Sequence, residues 1–127
     1  MKIIRFKDLK FVPASHEDPK NPAVVKKVLL TVNDLSKARI QMINWCKLPP
    51  KKTFTPHLHE SMKEIYIILS GKAKIKIGNQ KAILKKGDLV IIPEGKTHFM
   101  TNISPKNVEY LAMGITWGLT GKTIIKK

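Results

Sequence analysis

Short apolar runs that alternate with polar positions dominate the chain from residue 24 onward. They are rich in Val, Ile, Tyr and Thr, residues that favour β-strands. We predict strands at Val24–Val32, Ala38–Leu48, Lys63–Leu69, Lys72–Ile77, Gln80–Leu84, Leu89–Ile92, His98–Ile103 and Val108–Trp117. The best helical candidate, Asn33–Arg39, spans about two turns at most. Many short strands at close spacing predict an all-β sandwich or barrel.

Turn-forming residues separate most of these runs. They occur at Asn33-Asp34, Pro49-Pro50, Ser70-Gly71, Gly78-Asn79, Gly87-Asp88, Pro93-Glu94-Gly95 and Ser104-Pro105. Gly78-Asn79, between two short alternating runs, predicts a β-hairpin. Before the first run, Ser15–Pro22 is polar and contains proline, which is typical of an exposed loop. We therefore expect one domain over residues 1–127, with residues 1–22 as a partly extended N-terminal arm.

The length of 127 residues fits one domain with a real hydrophobic core. No stretch approaches the roughly 20 apolar residues that cross a bilayer, and charged residues interrupt Met1–Lys10, so we expect neither a membrane segment nor a secretory signal. The only cysteine, Cys46, excludes an internal disulfide framework. A cytoplasmic location is the resulting expectation.

The formal net charge is +15, but only two of the 24 basic residues are arginines, Arg5 and Arg39. Lysines are spread along the whole chain, and Lys72, Lys74 and Lys76 alternate so that one strand face would carry them into water. Arginines for phosphate or guanine recognition and aromatic residues for base stacking are scarce. We therefore disfavour nucleic-acid binding and expect a positive field that attracts small anions.

Four residues suggest metal chemistry. In an extended strand His57 and His59 point to the same face, because residues i and i+2 do so. Glu64 lies in an apolar run, where an unpaired carboxylate would be costly to bury, and a metal ion is one available partner. His98 begins a later strand and offers a third imidazole. Such a mixed nitrogen and oxygen set suits one Fe, Mn, Ni, Cu or Zn ion better than Ca or Mg.

The spacing of these residues resembles that of the cupin family. The first cupin motif is a glycine, five residues, H-x-H, three or four residues, a glutamate, six residues and a glycine; the chain matches at His57, His59, Glu64 and Gly71 and departs only at the leading glycine, where Lys51 stands. The second motif is matched throughout, at Gly87, Pro93, Gly95, His98 and Asn102. The resemblance spans Lys51 to Asn102, about two fifths of the chain.

What the resemblance implies is a single-domain jelly-roll β-barrel with His57, His59, Glu64 and His98 on one metal ion, and frequent homodimers. Small cupins of this kind include dioxygenases and sugar isomerase-like proteins. We therefore expect a metal-dependent enzyme that acts on a small oxygen-bearing, possibly anionic, substrate. The alternative is a binding or sensing protein that holds a small molecule without turning it over.

Other residues receive weaker assignments. Tyr66 shares the face of Glu64, and Met100 shares that of His98, so both are predicted to form walls of a substrate pocket. We expect His16 to be solvated in the N-terminal loop, Cys46 to be a small buried hydrophobe and Asn102 to make structural hydrogen bonds. Trp45, Phe99 and Trp117 are predicted core residues.

Overall fold

The computed structural model describes residues 4–31, 39–116 and 123–126, which form two antiparallel β-sheets. The strands are β1 (Val12–Pro13), β2 (Val25–Thr31), β3 (Ile40–Leu48), β4 (His57–His59), β5 (Met62–Ser70), β6 (Lys72–Ile77), β7 (Gln80–Lys85), β8 (Leu89–Ile92), β9 (His98–Asn102), β10 (Val108–Thr116) and β11 (Thr123–Ile125). A single turn of 3-10 helix, Phe6–Asp8, precedes them. No helix in these three ranges has the length and apolar character needed to span a bilayer.

The eight predicted strands are confirmed to within two residues at either end. The alternating pattern located them correctly because each strand buries one face in the core and exposes the other to solvent. Strands β1, β4 and β11 are absent from the eight predicted runs, since each is only two or three residues long, although His57 and His59 of β4 were expected in an extended segment. The helical candidate at 33–39 falls outside the described residues except for its last residue, and the assignment of Trp117 to the core lies wholly outside them.

Strands that are distant in the sequence are neighbours in both sheets. The first sheet has the order β1-β2-β3-β10-β5-β8, and the second has the order β11-β4-β9-β6-β7. The predicted hairpin is present, because β6 pairs with β7 across Gly78-Asn79, with Ile77 opposite Gln80. The two sheets form the jelly-roll barrel expected from the motif spacing.

The inward faces of the strands pack into one hydrophobic core. Its largest fully buried apolar side chains are Phe54, Leu48, Ile68, Ile75, Ile92 and Met100. Burying each such side chain contributes about 1.5–3 kcal/mol. In β6 the lysines at 72 and 74 are exposed whereas Ala73 and Ile75 are buried, so the predicted solvated lysine face is confirmed at these two positions, and Lys76 is half-buried.

Trp45 does not lie in the core, contrary to the prediction. Its neighbours in β3, Asn44 and Cys46, point inward, so Trp45 lies on the outer face and is half-buried. There its ring contacts Phe6 of the N-terminal arm at a centroid distance of 4.9 Å, and its Nε1 donates a hydrogen bond to Glu109 (2.9 Å). The arm covers a tryptophan that strand parity places outside the barrel.

The residue that departs from the first motif, Lys51, adopts a left-handed backbone conformation that favours glycine. Its φ is +66°, the only positive φ at a residue other than glycine in the described part of the chain. The turn is held by hydrogen bonds between Lys51 N and Asn102 O (3.2 Å) and between Asn102 N and Lys52 O (2.9 Å). The departure therefore leaves the turn intact, with a local strain that glycine would avoid.

Asn102 closes the loops at the same end of the barrel, as predicted. Its Nδ2 donates hydrogen bonds to the carbonyls of Leu48 (2.9 Å) and Lys106 (2.8 Å). Its Oδ1 accepts from the backbone N–H and the hydroxyl of Ser104, both at 2.8 Å. This buried amide has partners on both of its polar atoms, so its role in the structure is to anchor loops.

Candidate metal centre

The structure brings together the four side chains that the motifs single out. His57 and His59 are inward-facing residues of β4, Glu64 lies in β5, and His98 begins β9 directly opposite His57. One potential ligand atom from each residue lies within 4.8 Å of those of the other three, and all four residues are buried. The histidines come from one sheet and the glutamate from the other, so the cluster lies between the two layers of the barrel.

Each imidazole is fixed through its Nδ1 atom. Nδ1 of His57 lies 2.7 Å from the carbonyl oxygen of Thr55, and Nδ1 of His98 lies 3.1 Å from that of Lys96. Because a carbonyl only accepts, both Nδ1 atoms carry the proton and each Nε2 keeps its lone pair in the neutral ring. Nδ1 of His59 lies 3.0 Å from the hydroxyl of Thr123 in β11.

The carboxylate of Glu64 lies at the meeting point of the Nε2 atoms. Its Oε1 is 2.9 Å from Nε2 of His59 and 3.2 Å from Nε2 of His98, and it accepts a hydrogen bond from the hydroxyl of Tyr66 (3.2 Å). Burial by itself would raise the pKa of Glu64, but its contacts with His59 and His98 outweigh burial and hold that pKa below the usual range. The group is therefore an anion inside the barrel.

The surroundings of His98 indicate that a cation fits here. Its Nδ1 faces a carbonyl, which can only accept, and its Nε2 lies 3.2 Å from Oε1 of Glu64 and 3.4 Å from the hydroxyl of Tyr66. In a neutral ring the one proton lies on Nδ1, so the lone pair of Nε2 faces a carboxylate oxygen, and a cation between the two would remove their repulsion. Burial lowers the pKa of the adjacent His57 to about 3, which favours a neutral ligand there.

The donor set fits one divalent transition metal ion. Three imidazole nitrogens and one carboxylate oxygen are ligands that Mn, Fe, Ni, Cu and Zn accept, whereas Ca and Mg prefer all-oxygen sites. The groups behind the histidines, two backbone carbonyls and one hydroxyl, match the outer contacts that orient metal-binding imidazoles. His57, His59, Glu64 and His98 could therefore hold the ion without rearrangement of the strands.

A cavity of about 220 Å³ adjoins the cluster. Its lining residues are Ala14, Ser15, His16, Val24, Lys26, Gln41, Met42, Asn44, Cys46, His57, His59, Met62, Glu64, Tyr66, Tyr110, Ala112 and Thr123. Of the two predicted pocket residues, Tyr66 lines this cavity and Met100 does not. Met100 is fully buried in the hydrophobic core, paired with Ile75. Strand parity correctly predicted that Met100 points inward. Parity does not give the position of a residue along the barrel axis, and at Met100, two residues after His98, the interior is occupied by hydrophobic core side chains.

His16 is not solvated, contrary to the expectation from its polar loop. Its side chain is 12% exposed, and its ring lies in the cavity wall, stacked on His57. The next residue holds the loop in place, because the carboxylate of Glu17 accepts hydrogen bonds from the backbone N–H groups of Ala23 (2.7 Å) and Thr55 (2.9 Å). The N-terminal arm therefore completes the site.

Cys46 lines the cavity but is not poised for chemistry. Its burial raises the pKa of the thiol to about 12, and the nearby charge of Glu64 acts in the same direction. A protonated thiol is a poor nucleophile and a poor metal ligand. Its placement agrees with the prediction of a small buried hydrophobe.

Several residues of this site were missed in the sequence. His16 and Thr123 reach it from segments far from either motif, and no periodic pattern marks them. Asn44 had a usable signal, because it shares the inward parity of Cys46 and Leu48 in β3. Lys26 likewise shares the parity of the apolar residue Val24, but lysines are so common in this chain that this position did not stand out.

Comparisons with known proteins agree with this architecture. The family model described as "Cupin domain" matches residues 44–114, more than half of the chain. An oxalate-binding protein from Thermotoga maritima is 33% identical over 67 residues, which cover 53% of this chain and 55% of that protein. An uncharacterized protein from Aquifex aeolicus is 34% identical over 58 residues, covering 46% and 48% respectively. The chain thus matches about half the length of these curated relatives.

Solved structures share the fold over most of the chain. A crystal structure from Thermotoga maritima, described as a predicted oxalate decarboxylase, has a TM-score of 0.79 at 24% identity and covers 91% of this chain and 99% of that one. A polyketide cyclase from Streptomyces resistomycificus has a TM-score of 0.72 at 19% identity, with 94% and 87% covered. Identities this low establish the fold alone. Together with the family match over residues 44–114, they show that the chain belongs to the cupin family.

Proposed function

We propose that this cupin holds one Mn, Fe, Ni, Cu or Zn ion through His57, His59, Glu64 and His98. We further propose that it is a metal-dependent enzyme for a small anionic substrate. The observation that carries the proposal is the convergence of these four buried side chains, with acceptors facing both nitrogens of His98. A buried carboxylate among neutral imidazoles is costly unless a cation accompanies it.

The chemistry that a bound metal supplies is Lewis acidity or, for a redox-active ion, dioxygen activation. The protein's own contribution is to fix the ligands and shape the cavity beside them. The hydroxyl of Tyr66 donates a hydrogen bond to Oε1 of Glu64, which limits the orientations of that carboxylate. The stacked rings of His16 and His57 close one side of the cavity. These contacts confine a substrate next to the metal centre and exclude bulk water.

The electrostatics of the cavity support an anionic substrate. A divalent ion with one carboxylate and three neutral imidazoles leaves a net charge of +1. Lys26 in the cavity wall adds another positive charge, and Glu64 is the only acidic residue among the described residues of the lining. The curated relative and the solved structure from Thermotoga maritima both have descriptions that name oxalate, a small dicarboxylate. We propose a small carboxylate as the substrate class.

The reaction class remains a proposal between dioxygenase-like and sugar isomerase-like chemistry. A cavity of about 220 Å³ is smaller than the roughly 300–1,000 Å³ typical of drug-sized ligands. This size supports a substrate of few heavy atoms. It therefore favours dioxygenase-like chemistry on a small carboxylate over isomerisation of a sugar.

A second candidate function is binding without turnover. The name of the Thermotoga maritima relative, an oxalate-binding protein, supports it. Incubating the metal-loaded protein with oxalate in air separates the two candidates. Oxalate that is bound and recovered unchanged favours the binding protein, whereas its consumption favours the enzyme. The homodimer and the cytoplasmic location expected from the sequence stay predictions.

Elemental analysis of the purified protein tests the metal centre directly. We expect about one transition metal ion per chain in the wild type and almost none in a His57→Ala, His98→Ala double variant. His16→Ala is the matched control, because it removes a histidine that contacts His57 without being a proposed ligand. Full metal content in the double variant would refute the ligand assignment.

A further inference from the structure

Three polar side chains line the cavity on the first sheet, away from the metal centre. Lys26 comes from β2, and Gln41 and Asn44 come from β3. We call Lys26, Gln41 and Asn44 the far wall. None of them belongs to either cupin motif, and the metal centre described above does not use them.

Two atoms of the far wall are buried and have no hydrogen-bond partner in the part of the chain that the structure describes. They are Nε2 of Gln41 and Oδ1 of Asn44, and the Asn44 residue as a whole is only 6% exposed. Leaving a buried polar group unsatisfied costs about 1–3 kcal/mol, so such groups normally have partners. Nε2 of Gln41 can donate to an anion as it stands, and Asn44 can donate once its amide is turned so that Nδ2 instead of Oδ1 faces the cavity. One oxyanion in the cavity can then accept hydrogen bonds from both residues.

A β-bulge brings Gln41 into the cavity. Met42 pairs with Gly114 in β10, but the next pair is Ile40 with Ile115, so Gln41 is the extra residue of β3. Consecutive strand residues normally face opposite sides of a sheet. Here Gln41 and Met42 both line the cavity, because the bulge redirects one of them. An irregularity of this kind next to a proposed metal centre is typical of a site shaped for a ligand.

A small residue of β10, Ala112, leaves space between the metal centre and the far wall. One row across the sheet runs from Tyr66 through Ala112 to Asn44. The outer strands of this row, β5 and β3, are separated by two strand spacings, about 10 Å. Because Ala112 has a single side-chain carbon, the cavity passes over it, whereas over Gly114 in the next row the space is filled by the side chains of Met62 and Met42.

Lys26 places positive charge on the far wall. It pairs in register with Cys46 of β3, whose thiol is uncharged, and the described residues provide no ion pair for its ammonium group. A lysine and two amides that line the same cavity can recognise a carboxylate or another small oxyanion, because the ammonium group and both amides can donate hydrogen bonds to it.

We infer that the far wall binds a second anionic group, so that the ligand of this cavity is a small dianion held between the metal centre and Lys26, Gln41 and Asn44. This inference rests on the proposed function for the first of the two groups. The metal centre binds one end of the ligand. The far wall binds the other end and selects against molecules that carry a single charge.

Calorimetry on the metal-loaded protein tests the far wall with defined probes. The probes are the dicarboxylates of two to five carbons, oxalate to glutarate, and the monocarboxylates of the same lengths, acetate to valerate. We expect the best dicarboxylate to bind at least about tenfold more tightly than its monocarboxylate, since hydrogen bonds to a charged group contribute about 1.5–3 kcal/mol. In Lys26→Met that preference should disappear while metal content stays unchanged.

Lys74→Met is the matched control, because it removes the same charge from an exposed position on the outer face of β6. It should retain the full preference. Asn44→Ala should weaken dicarboxylate binding several-fold and leave monocarboxylate binding alone. If Lys26→Met keeps the wild-type preference, or the wild type shows none, the far-wall inference is refuted while the metal centre stands. If no carboxylate binds to protein of full metal content, the anionic substrate class is refuted as well.

Discussion

The imidazole of His16 stacks on that of His57, with ring centroids 3.9 Å apart and ring planes 16° apart. One ring belongs to the N-terminal arm and the other to the candidate metal centre. The contact buries His16 so that its Nε2 has no hydrogen-bond partner among the described residues; the nearest acidic oxygen is Oε2 of Glu17 at 3.5 Å. The arm is thereby coupled to the metal centre through a histidine outside both cupin motifs.

Burial at this stack makes the metal-free protein sensitive to acid. It lowers the pKa of His16 from 6.5 to about 4, although the charges of Glu17 and Glu64 act in the opposite direction; His98 and His59 also face this ring and lower its pKa further. The unfolded chain therefore binds the proton first as the pH falls. Stability is fully present above about pH 6.5 and is lost towards pH 4, at about 1.4 kcal/mol per pH unit for one group.

Replacing His16 by Phe tests this coupling, because it keeps an aromatic ring on His57 and removes the titrating group. Between pH 6.5 and 4 we expect the free energy of unfolding to fall less steeply in the metal-free variant than in the metal-free wild type. The difference between the two slopes should be about 1.4 kcal/mol per pH unit. Urea unfolding at several pH values measures the slope. Some dependence persists in the variant, because burial also lowers the pKa of His57, to about 3. An unchanged slope would show that His16 is solvated after all.

Thr123 orients His59 from a strand that neither motif includes. Its hydroxyl lies 3.0 Å from Nδ1 of His59, and the two residues are paired between β11 and β4. Thr123→Val keeps the shape of the side chain and removes this hydrogen bond. We expect metal affinity to fall about 10- to 100-fold, as is usual for groups that support a metal-bound imidazole. Competition with a chelator measures the change.

Thr101→Val is the control for this variant. Thr101 also makes a hydroxyl hydrogen bond, to Thr53 (2.7 Å), but at an exposed position away from the metal centre. Its metal affinity should equal that of the wild type. Equal affinities for all three proteins would mean that the orientation of His59 does not depend on β11.

Lys51→Gly should stabilise the protein. At a φ of +66° a residue with a side chain is strained by about 1 kcal/mol or more, and glycine is not. Part of the gain is lost because glycine has more conformational freedom in the unfolded chain. We expect a net increase of about 0.5–1 kcal/mol in the free energy of unfolding. Lys52→Gly, one residue later and without a positive φ, should be neutral or destabilising, and a loss of stability in Lys51→Gly would contradict the strain.

The sequence by itself was sufficient for the fold and for the four clustered side chains. Alternation of polar and apolar positions located the strands, because each strand buries one face. The motif spacing brought His57, His59, Glu64 and His98 to one point, because the barrel holds β4, β5 and β9 at fixed distances.

Only the tertiary structure decided what surrounds those four residues. Parity gives the inward face of a strand but not the depth along the barrel axis, so Met100 was placed in the pocket and lies in the core. His16 and Thr123 reach the site from segments with no periodic signal. The bulge that directs Gln41 into the cavity depends on the register between β3 and β10, and that register is set by long-range pairing that local sequence does not encode.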